Sequence, residues 1–276
     1  MATARSRRKG LALPGRGPSR SRVKTRRLSS FDGVRLAVHE MGDGPPLLLL
    51  HGLFSSTAVN WLRFGQANAL AEAGWRVILP DLRGHGKSDS PADPAFWPED
   101  VLARDTEAVV RSLGLDPAIL VLGGYSLGAR TAVRCLARGL PVRAAVLAGM
   151  GLEGITDAGA RSAWFIRVIE GRGGWKPGSA EFLAEAFLKA NVRDPAHLLF
   201  LLQGQVSTPI SVLAAIACPT LVVAGDEDRD NGSPRALAEA IPGAAFAEIP
   251  GNHMSAVTRP ELARAILAFL SALPPP

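Results

Sequence analysis

The sequence predicts an α/β fold: a doubly wound, mostly parallel sheet with a small helical cap. Short, continuous apolar runs recur along the chain, as expected of strands that are buried on both faces of a parallel sheet. Between them lie segments with apolar residues at three- and four-residue spacing, which is the spacing of amphipathic helices. Strands that alternate with helices in this way are typical of a doubly wound sheet. Only residues 152–215 interrupt the alternation, and they predict the cap.

The first predicted element is an antiparallel hairpin at the edge of the sheet. Residues 31–40 alternate around an Asp32-Gly33 turn signal. Buried strands are then predicted at residues 46–50, 77–79, 119–122, 144–147 and 221–224, followed by a short strand at 246–249. Helices are predicted at residues 58–73, 99–113, 127–137, 233–241 and 261–270.

The cap interval contains helical patterns and no strand-like run. The helical segments are predicted at residues 160–170, 180–191 and 196–203. An insertion of this size between two strands is too long for a bare loop. We expect it to lie over the carboxyl ends of the strands, where open α/β sheets bind ligands. The predicted organisation is a core of residues 28–151 and 216–276, with a cap of residues 152–215.

The charge of the chain is unevenly distributed. Ten of the 31 basic residues and no acidic residue lie in residues 1–27, which leaves 21 basic against 25 acidic residues in the remainder. The first segment is also rich in Ser, Gly and Pro, so we predict a basic, disordered tail over residues 1–27. An Arg-rich, acid-free segment is also compatible with an organelle transit peptide or an upstream start codon.

The composition excludes several classes of function. Without the first segment the chain has a small net negative charge, so the body carries no nucleic-acid footprint. No apolar run reaches the roughly 18 residues that span a bilayer. Cys135 and Cys218 lack a metal-ligand spacing, which favours free thiols in a reducing, cytoplasmic compartment. We expect no metal and no cofactor, and the oligomeric state stays open.

A nucleophilic serine is predicted at residue 126. Gly124-Tyr125-Ser126-Leu127-Gly128 fits the G-x-S-x-G pattern, with a buried strand before it and a helix after it. This strand–turn–helix context is what a nucleophile elbow requires, because the sharp turn leaves room only for glycines two residues before and two residues after the serine. At the start of a helix, backbone N–H groups also favour a developing oxyanion.

A serine nucleophile needs a base and an acid that orients the base. His253 is the predicted base, because it follows the short strand at 246–249 and therefore lies at the carboxyl edge of the sheet. We predict structural roles for the other four histidines, at positions 39, 51, 85 and 197. The loop after the strand at 221–224 supplies four candidate acids, and composition alone does not choose between Asp226, Glu227, Asp228 and Asp230.

These motifs together resemble those of the α/β-hydrolase superfamily, in its branch of small serine esterases and cofactor-free haloperoxidase-like enzymes. The resemblance covers residues 31–270 and rests on five motifs: His51-Gly52-Leu53-Phe54, the segment from Asp81 to Asp89, the elbow, Gly225-Asp226-Glu227-Asp228, and Gly251-Asn252-His253. The order Ser…Asp…His along the chain is the order of that superfamily.

The resemblance implies roles for individual residues. The acid is typically the third residue after the glycine that ends the strand, which selects Asp228. The oxyanion hole would use the backbone N–H groups of Leu53 and Leu127. Asn252 stands where similar proteins more often have a glycine before the histidine. Haloalkane dehalogenases and epoxide hydrolases of this fold have an aspartate at the elbow, so Ser126 sets the chain apart from them.

The predicted function is hydrolysis of a small, mostly apolar carboxylic ester, lactone or thioester through an acyl-enzyme intermediate. We predict that Tyr125, Phe54, Trp97 and Arg130 contact this small-molecule substrate.

Two alternatives stay open. The segment from Tyr125 to Arg130 resembles the elbow of the menaquinone-pathway lyase, in which a matching arginine binds substrate carboxylates and the triad abstracts a proton. A C–C lyase or hydrolase of this kind would use Arg130. The cap also contains Arg161, Arg167 and Arg172, whose orientation the sequence leaves open. The other alternative is a non-catalytic, hydrolase-like binding protein.

Overall fold

The computed structural model describes residues 22–274, which form one eight-stranded sheet covered by helices. The strand order is β1-β2-β4-β3-β5-β6-β7-β8. β2 runs antiparallel to both β1 and β4, and all other neighbouring strands are parallel. The predicted α/β class, with a doubly wound and mostly parallel sheet, is therefore confirmed.

The strands and helices have the following bounds. The strands are β1 Lys24–Ser29, β2 Arg35–Met41, β3 Pro46–Leu50, β4 Arg76–Pro80, β5 Val121–Tyr125, β6 Ala144–Ala148, β7 Thr220–Gly225 and β8 Ala245–Ile249. The helices are α1 Gln66–Glu72, α2 Val101–Ser112, α3 Leu127–Ala137, α4 Leu152–Thr156, α5 Ala158–Glu170, α6 Ala180–Asn191, α7 Leu198–Gln203, α8 Ile210–Leu213, α9 Pro234–Glu239, α10 His253–Ala256 and α11 Pro260–Ala272.

The central strands are apolar along their whole length because both faces of the sheet are covered. In β3, Leu48 and Leu50 belong to the hydrophobic cluster on one face of the sheet, and Leu47 and Leu49 belong to the cluster on the other. All four side chains are fully buried. Successive residues of a strand point to opposite faces, so a strand between two helical layers needs apolar side chains at every position.

The edge hairpin begins earlier in the chain than the sequence predicted. β1 starts at Lys24 and pairs with β2 from Lys24 opposite Glu40 to Ser29 opposite Arg35. The side chain of Arg26 forms an ion pair of 2.7 Å with Glu40. The predicted tail boundary at residue 27 is therefore wrong, because the β1–β2 ladder and this ion pair tie residues 24–27 to the sheet. The rest of the predicted tail, residues 1–21, lies outside the described residues.

Two other predicted bounds also shift. The helix predicted at 58–73 is divided into a short π-helical turn, Ala58–Leu62, and α1. Gly65 separates them with a φ of +84°, a left-handed conformation that interrupts a right-handed helix. The strand predicted at 119–122 lies at Val121–Tyr125, so it leads directly into the serine turn.

Five helices, α4 to α8, lie between β6 and β7 and form the helical cap. The three predicted cap helices correspond to α5, α6 and α7. Phe165 of α5 packs edge-on against Phe54, with ring centroids 5.3 Å apart, and so joins the cap to the loop after β3. Among residues 22–274, no helix combines the length and the apolar character that a membrane crossing requires.

Candidate active site

Ser126 lies in a sharp turn between β5 and α3. Its backbone has φ +55° and ψ −114°, a conformation that non-glycine residues rarely adopt. The glycines on either side permit the turn. A Cβ at Gly124 would overlap the backbone of Gly128, and a Cβ at Gly128 would overlap the carbonyl oxygen of Leu50. The G-x-S-x-G pattern is therefore required by close packing of the turn against β3.

His253 reaches the serine from the first position of α10. Its Nε2 lies 3.0 Å from Ser126 Oγ, and its Nδ1 lies 2.8 Å from Asp228 Oδ2. A carboxylate only accepts hydrogen bonds, so Nδ1 carries the proton of the neutral ring and Nε2 is left to accept from the serine hydroxyl. The tautomer that activates a serine is thus imposed by Asp228.

Asn252 begins the helix that carries His253. Its side-chain oxygen accepts hydrogen bonds from the N–H groups of Met254 and Ser255, and Ser255 Oγ accepts one from the Asn252 N–H. This is a capping box, which satisfies otherwise unpaired N–H groups at a helix start. The asparagine in the place of the more usual glycine is therefore an N-cap that holds the first turn of α10.

The structure separates the four candidate acids of the loop after β7. Asp228 is 2% exposed and contacts His253, whereas Asp226 accepts a 2.8 Å hydrogen bond from the N–H of Gly251. Asp230 forms an ion pair of 3.1 Å with Arg161 of the cap. Glu227 is exposed and has no side-chain partner among the described residues. Only Asp228 is brought to the histidine.

The loop after β3 lies beside the serine. A Cβ at Gly52 would be 3.5 Å from Ser126 Cβ. The N–H groups of Gly52 and Phe54 donate to Asn60 Oδ1 and His85 Nε2, whereas the N–H of Leu53 has no acceptor among the described residues. The N–H of Leu127 is at the first position of α3, where a helix supplies no acceptor. Two unpaired N–H groups thus flank the serine turn.

Two buried histidines hold this loop against the loop after β4. The Nδ1–H of His51 donates to the carbonyl of Gly52, and its Nε2 accepts from the N–H of Leu82. His85 accepts from the N–H of Phe54 in the same manner. Burial lowers the pKa of His51, and it is also the main cause that lowers the pKa of His85 to about 3. Both rings are therefore neutral hydrogen-bonding groups, consistent with the structural roles predicted for them.

Tyr125 does not have the environment of a substrate contact. It is 4% exposed, and its hydroxyl donates a 2.7 Å hydrogen bond to the main-chain carbonyl of His253. Its ring centroid lies 5.3 Å from that of His253. The predicted contact with substrate is thus corrected: the side chain packs beneath the histidine because β5 and the start of α10 are adjacent.

Trp97 is likewise buried away from a free surface. Its indole N–H donates to the carbonyl of Pro91, and its ring lies against Gly84 near Leu198 of α7. Trp97 therefore packs between the cap and the loop after β4. None of these contacts supports a role in substrate binding. Phe54, also predicted to touch substrate, is buried but packs against Phe165 of the cap, next to Leu53.

Arg130 is buried one helical turn after the serine. Its Nε donates to the carbonyl of Gly154 in α4, and Nη1 lies 3.5 Å from Gln205 Oε1. It has no carboxylate partner among the described residues. Burial and the neighbouring charge of Arg161 lower the pKa of Arg130 to about 10, so the side chain stays charged at neutral pH. Its contacts hold α4 and the segment just after α7 against the core.

The sequence does not predict the contacts by which three residues hold the site. It singles out Asn252 only as a departure from the family pattern, although Asn is among the residues preferred at a helix N-cap. Asp226 and Arg161 carry no local signal, because their partners are 25 and 69 residues away along the chain.

Comparisons with known proteins show which proteins this chain is similar to. A family model described as the alpha/beta hydrolase fold matches residues 45–184. The AB hydrolase superfamily protein YisY of Bacillus subtilis (strain 168) is 31% identical over 225 residues, which are 73% of this chain and 81% of that protein. A thermophilic esterase from Thermogutta terrifontis has a TM-score of 0.72 and 25% identity, covering 91% of this chain and 99% of that chain.

A further curated relative shares a shorter segment. An epoxide hydrolase of Caballeronia sordidicola is 40% identical over 98 residues, which are 36% of this chain. The match spans only 28% of the length of that epoxide hydrolase.

Proposed function

The chain belongs to the α/β-hydrolase fold family, and we propose that it is a serine hydrolase that cleaves a small, mostly apolar carboxylic ester, lactone or thioester. The observation that carries the proposal is the continuous hydrogen-bonded series from Ser126 through His253 to Asp228, with lengths of 3.0 and 2.8 Å. A nucleophile, a base and an orienting acid in this geometry are the parts that acyl transfer requires.

The mechanism follows from the three side chains. His253 Nε2 takes the proton of Ser126 as Oγ attacks the substrate carbonyl, and the imidazolium that forms is stabilised by Asp228. The same proton then goes to the leaving alcohol or thiol, which leaves an acyl group on Ser126. In the second half of the reaction His253 takes a proton from water, the resulting hydroxide attacks the acyl carbonyl, and the proton passes to Ser126 Oγ as the acid leaves.

The oxyanion of each tetrahedral intermediate needs donors that are already in place. The N–H groups of Leu53 and Leu127 are the proposed donors, because both are unpaired within residues 22–274 and flank the serine turn. A pre-positioned donor of this type contributes about 3 kcal/mol to the transition state. The two buried histidines support the arrangement by holding the Leu53 loop.

Serine at the elbow favours ester chemistry over epoxide opening. Epoxide hydrolases of this fold resemble the chain in other motifs but carry an aspartate at the nucleophile position. Ser126 with a neutral imidazole beside it forms an acyl-enzyme from a carbonyl substrate, which an ester supplies and an epoxide does not. The match to an epoxide hydrolase over 98 residues is therefore a likeness of fold and motifs.

Aromatic side chains where the cap meets the Leu53 loop are the basis for expecting an apolar substrate. Phe54 and Phe165 meet edge-on where the Leu53 loop contacts the cap. An apolar pocket rewards each buried methylene of a substrate by about 0.8 kcal/mol. We expect short to medium uncharged esters to be preferred, with the cap limiting the length of the acyl chain.

The alternatives have less support. The lyase alternative depends on Arg130 for a substrate carboxylate, but Arg130 Nε is already engaged by the carbonyl of Gly154. The non-catalytic alternative predicts a missing or displaced triad member, whereas all three side chains are present in hydrogen-bonding geometry.

The test compares the wild-type protein with Ser126→Ala, and with Ser271→Ala as a control on the exposed surface of α11. Wild type and Ser271→Ala should hydrolyse p-nitrophenyl esters and react with a fluorophosphonate probe, with the label on the Ser126 peptide. Ser126→Ala should lose both while keeping its circular dichroism spectrum. Residual hydrolysis above about 1% would identify another nucleophile, because losses of a triad member are usually much larger.

The substrate class is tested by kcat/KM along p-nitrophenyl esters from acetate to palmitate, beside an ester that carries a carboxylate. A maximum at short or medium length is expected. A maximum at palmitate, or a preference for the anionic ester, contradicts the proposed substrate class. The second outcome would favour the lyase alternative, in which Arg130 binds a substrate carboxylate.

We also propose a cytoplasmic location. Cys135 and Cys218 are both free thiols, and free thiols persist in reducing compartments. Fractionation of the source cells followed by detection of the protein tests this, and recovery in an organelle or secreted fraction would contradict it.

A further inference from the structure

Arg161 extends from the cap to the loop that carries Asp228. It belongs to α5, and its Nη2 lies 3.1 Å from Asp230 Oδ2. Arg161 is the only residue of α5 with an ion pair to this loop among the described residues. The cap and the acid loop are therefore joined by a charged contact two residues from the proposed catalytic acid.

Two aromatic rings hold the Arg161 guanidinium in place. Its central carbon lies 4.8 Å from the centroid of Trp164 and 4.7 Å from that of Phe165. The indole N–H of Trp164 donates to Glu181 of α6, and Phe165 packs on Phe54 of the core. A guanidinium stacked on rings that are themselves fixed has little conformational freedom to lose when it pairs with a carboxylate.

Asp230 connects this arginine to the triad. Its carboxylate forms the ion pair with Arg161, and its backbone N–H donates a 3.2 Å hydrogen bond to Asp228 Oδ1. The other oxygen of Asp228 accepts from His253. Each carboxylate oxygen of Asp228 thus has its own hydrogen-bond donor. The donor to Oδ1 is the backbone of Asp230, so this hydrogen bond depends on the position of Asp230.

We propose that Arg161 is a positioning residue for the triad: by holding Asp230 it keeps Asp228 oriented toward His253, and it supplies a positive charge behind the acid. The inference rests on the proposed function of the triad. If Arg161 has this role, Asp228 is correctly oriented only when α5 of the cap is in its place. The position of the cap and the geometry of the triad then depend on each other through α5.

The proposal predicts effects of opposite sign on the protonation of the imidazole. Removal of the positive charge of Arg161 favours the imidazolium, so the acid limb of the kcat/KM profile should move to higher pH. Removal of the negative charge of Asp230 should move it to lower pH. Asp230 is about half exposed, so water and salt screen its charge and that of Arg161, and each shift should be about 0.5 pH units.

Other ionisable groups near the pair do not interfere in this range. The groups that surround the histidine and Arg161 are Asp228 and Asp230 from the loop after β7, Tyr125 from β5, Arg130 from α3, and Asp226, which holds Gly251. Burial, together with the carboxylates of Asp228 and Asp230, raises the pKa of Tyr125 well above its usual value. Arg130 keeps its charge up to about pH 9, since its pKa is about 10.

The experiment uses Arg161→Met, Asp230→Asn and the double variant, with Arg167→Met as the control on an exposed position of the same helix. The substrate is an uncharged p-nitrophenyl ester. Each single variant should lower kcat about tenfold with less than a threefold change in KM, because misplaced catalytic groups cost rate more than affinity. The double variant should be no slower than the worse single variant, since the contact is lost only once.

The pH profiles give the readout that a structural role alone would not produce. Arg161→Met and Asp230→Asn should shift the acid limb in opposite directions, and Arg161→Lys should return it toward wild type by restoring the charge. Additive losses in the double variant, shifts in the same direction, or unchanged kcat would overturn the proposal. A change confined to KM would also overturn it and would make Arg161 a substrate contact.

Failure of this inference is separable from failure of the proposed function. If Ser126→Ala is inactive while the Arg161 variants behave as wild type, only the role of Arg161 is rejected. If Ser126→Ala keeps the wild-type rate, the triad itself is rejected. If Arg161→Met does not fold, as judged by its melting curve, Asp230→Asn alone still tests the loss in kcat and the sign of the pH shift.

Discussion

The hydroxyl of Tyr125 donates a 2.7 Å hydrogen bond to the main-chain carbonyl of His253. Tyr125, which directly precedes Ser126 in the chain, thus holds the backbone of His253, whose side chain contacts Ser126. Room for the ring is made by Gly149 at the end of β6, where a Cβ would lie 2.5 Å from Tyr125 Cζ. The identity of Tyr125, the second residue of the serine motif, is therefore set by contacts within the protein.

Loss of this hydroxyl should weaken both stability and rate. Tyr125→Phe keeps the ring but leaves the His253 carbonyl without its donor, at a cost of about 1 kcal/mol in the free energy of unfolding. We expect kcat to fall several-fold while KM is nearly constant, as measured by steady-state kinetics and urea unfolding. Gly149→Ala is the matched variant that displaces the ring, and it should be more damaging. A rise in KM alone would restore Tyr125 as a substrate contact.

Asp226 and Asp228 should differ sharply in their response to the same substitution. Asp228→Asn presents an amide to His253 and can stabilise the wrong tautomer, which in a triad costs about 10⁴ in kcat. Asp226→Asn keeps an oxygen that can accept from the Gly251 N–H, so its rate should stay within about threefold of wild type. Ester hydrolysis by the two purified variants checks this. The reverse order of effects would place the catalytic acid at Asp226.

The buried histidines make stability depend on pH. Folding lowers the pKa of His85 from 6.5 to about 3, so between these values the unfolded chain binds more protons than the folded one. The contribution of His85 is therefore complete above about pH 6.5 and is lost progressively as the pH falls toward 3. His51 acts in the same direction. The midpoint of urea unfolding should change little from pH 7.5 to about pH 6.5 and then decrease toward pH 4.5.

The matched variant for this pH dependence is His85→Gln. A glutamine oxygen can accept from the Phe54 N–H but does not titrate, so the decrease in stability on acidification should be shallower than in wild type. An equal slope in the two proteins would show that His85 does not contribute to the acid sensitivity.

Truncation should reveal where the folded domain begins. Deletion of residues 1–26 removes half of β1, including the Arg26–Glu40 ion pair and the first rungs of the ladder with β2. We expect a lower melting temperature than in a chain that lacks only residues 1–21, because buried backbone groups of β2 lose their partners. Equal melting curves for the two truncated chains would contradict the assignment of β1 to the folded core.

Much of the architecture was predictable because its signals are local. A run such as Pro46–Leu50 is apolar at every position, which only a strand covered on both faces requires. The turn at Ser126 was equally visible, since its glycines are demanded by backbone contacts within the motif and with the neighbouring strand. The helix predicted at 58–73 was less accurate, because its apolar spacing continues across Gly65 while the backbone does not.

The choice among the acids depended on more than the sequence pattern. Asp226, Asp228 and Asp230 share one loop and one chemistry, and only their partners distinguish them. Those partners are Gly251, His253 and Arg161, which lie 25 to 69 residues away along the chain. A pairing across such distances is set by how the cap and two loops pack on the sheet edge.

The sequence by itself determined the α/β class, the position of the serine turn and the order of the candidate triad, because each follows from periodicity or close packing within a short segment. Only the tertiary structure decided that Tyr125 and Trp97 pack inward, that β1 begins at Lys24, and that Arg161 contacts the acid loop. The physical reason is that hydrogen bonds and ion pairs have a range of a few ångströms. The partners in these contacts are therefore determined by the folded backbone, which brings together residues whose pairing no sequence pattern indicates.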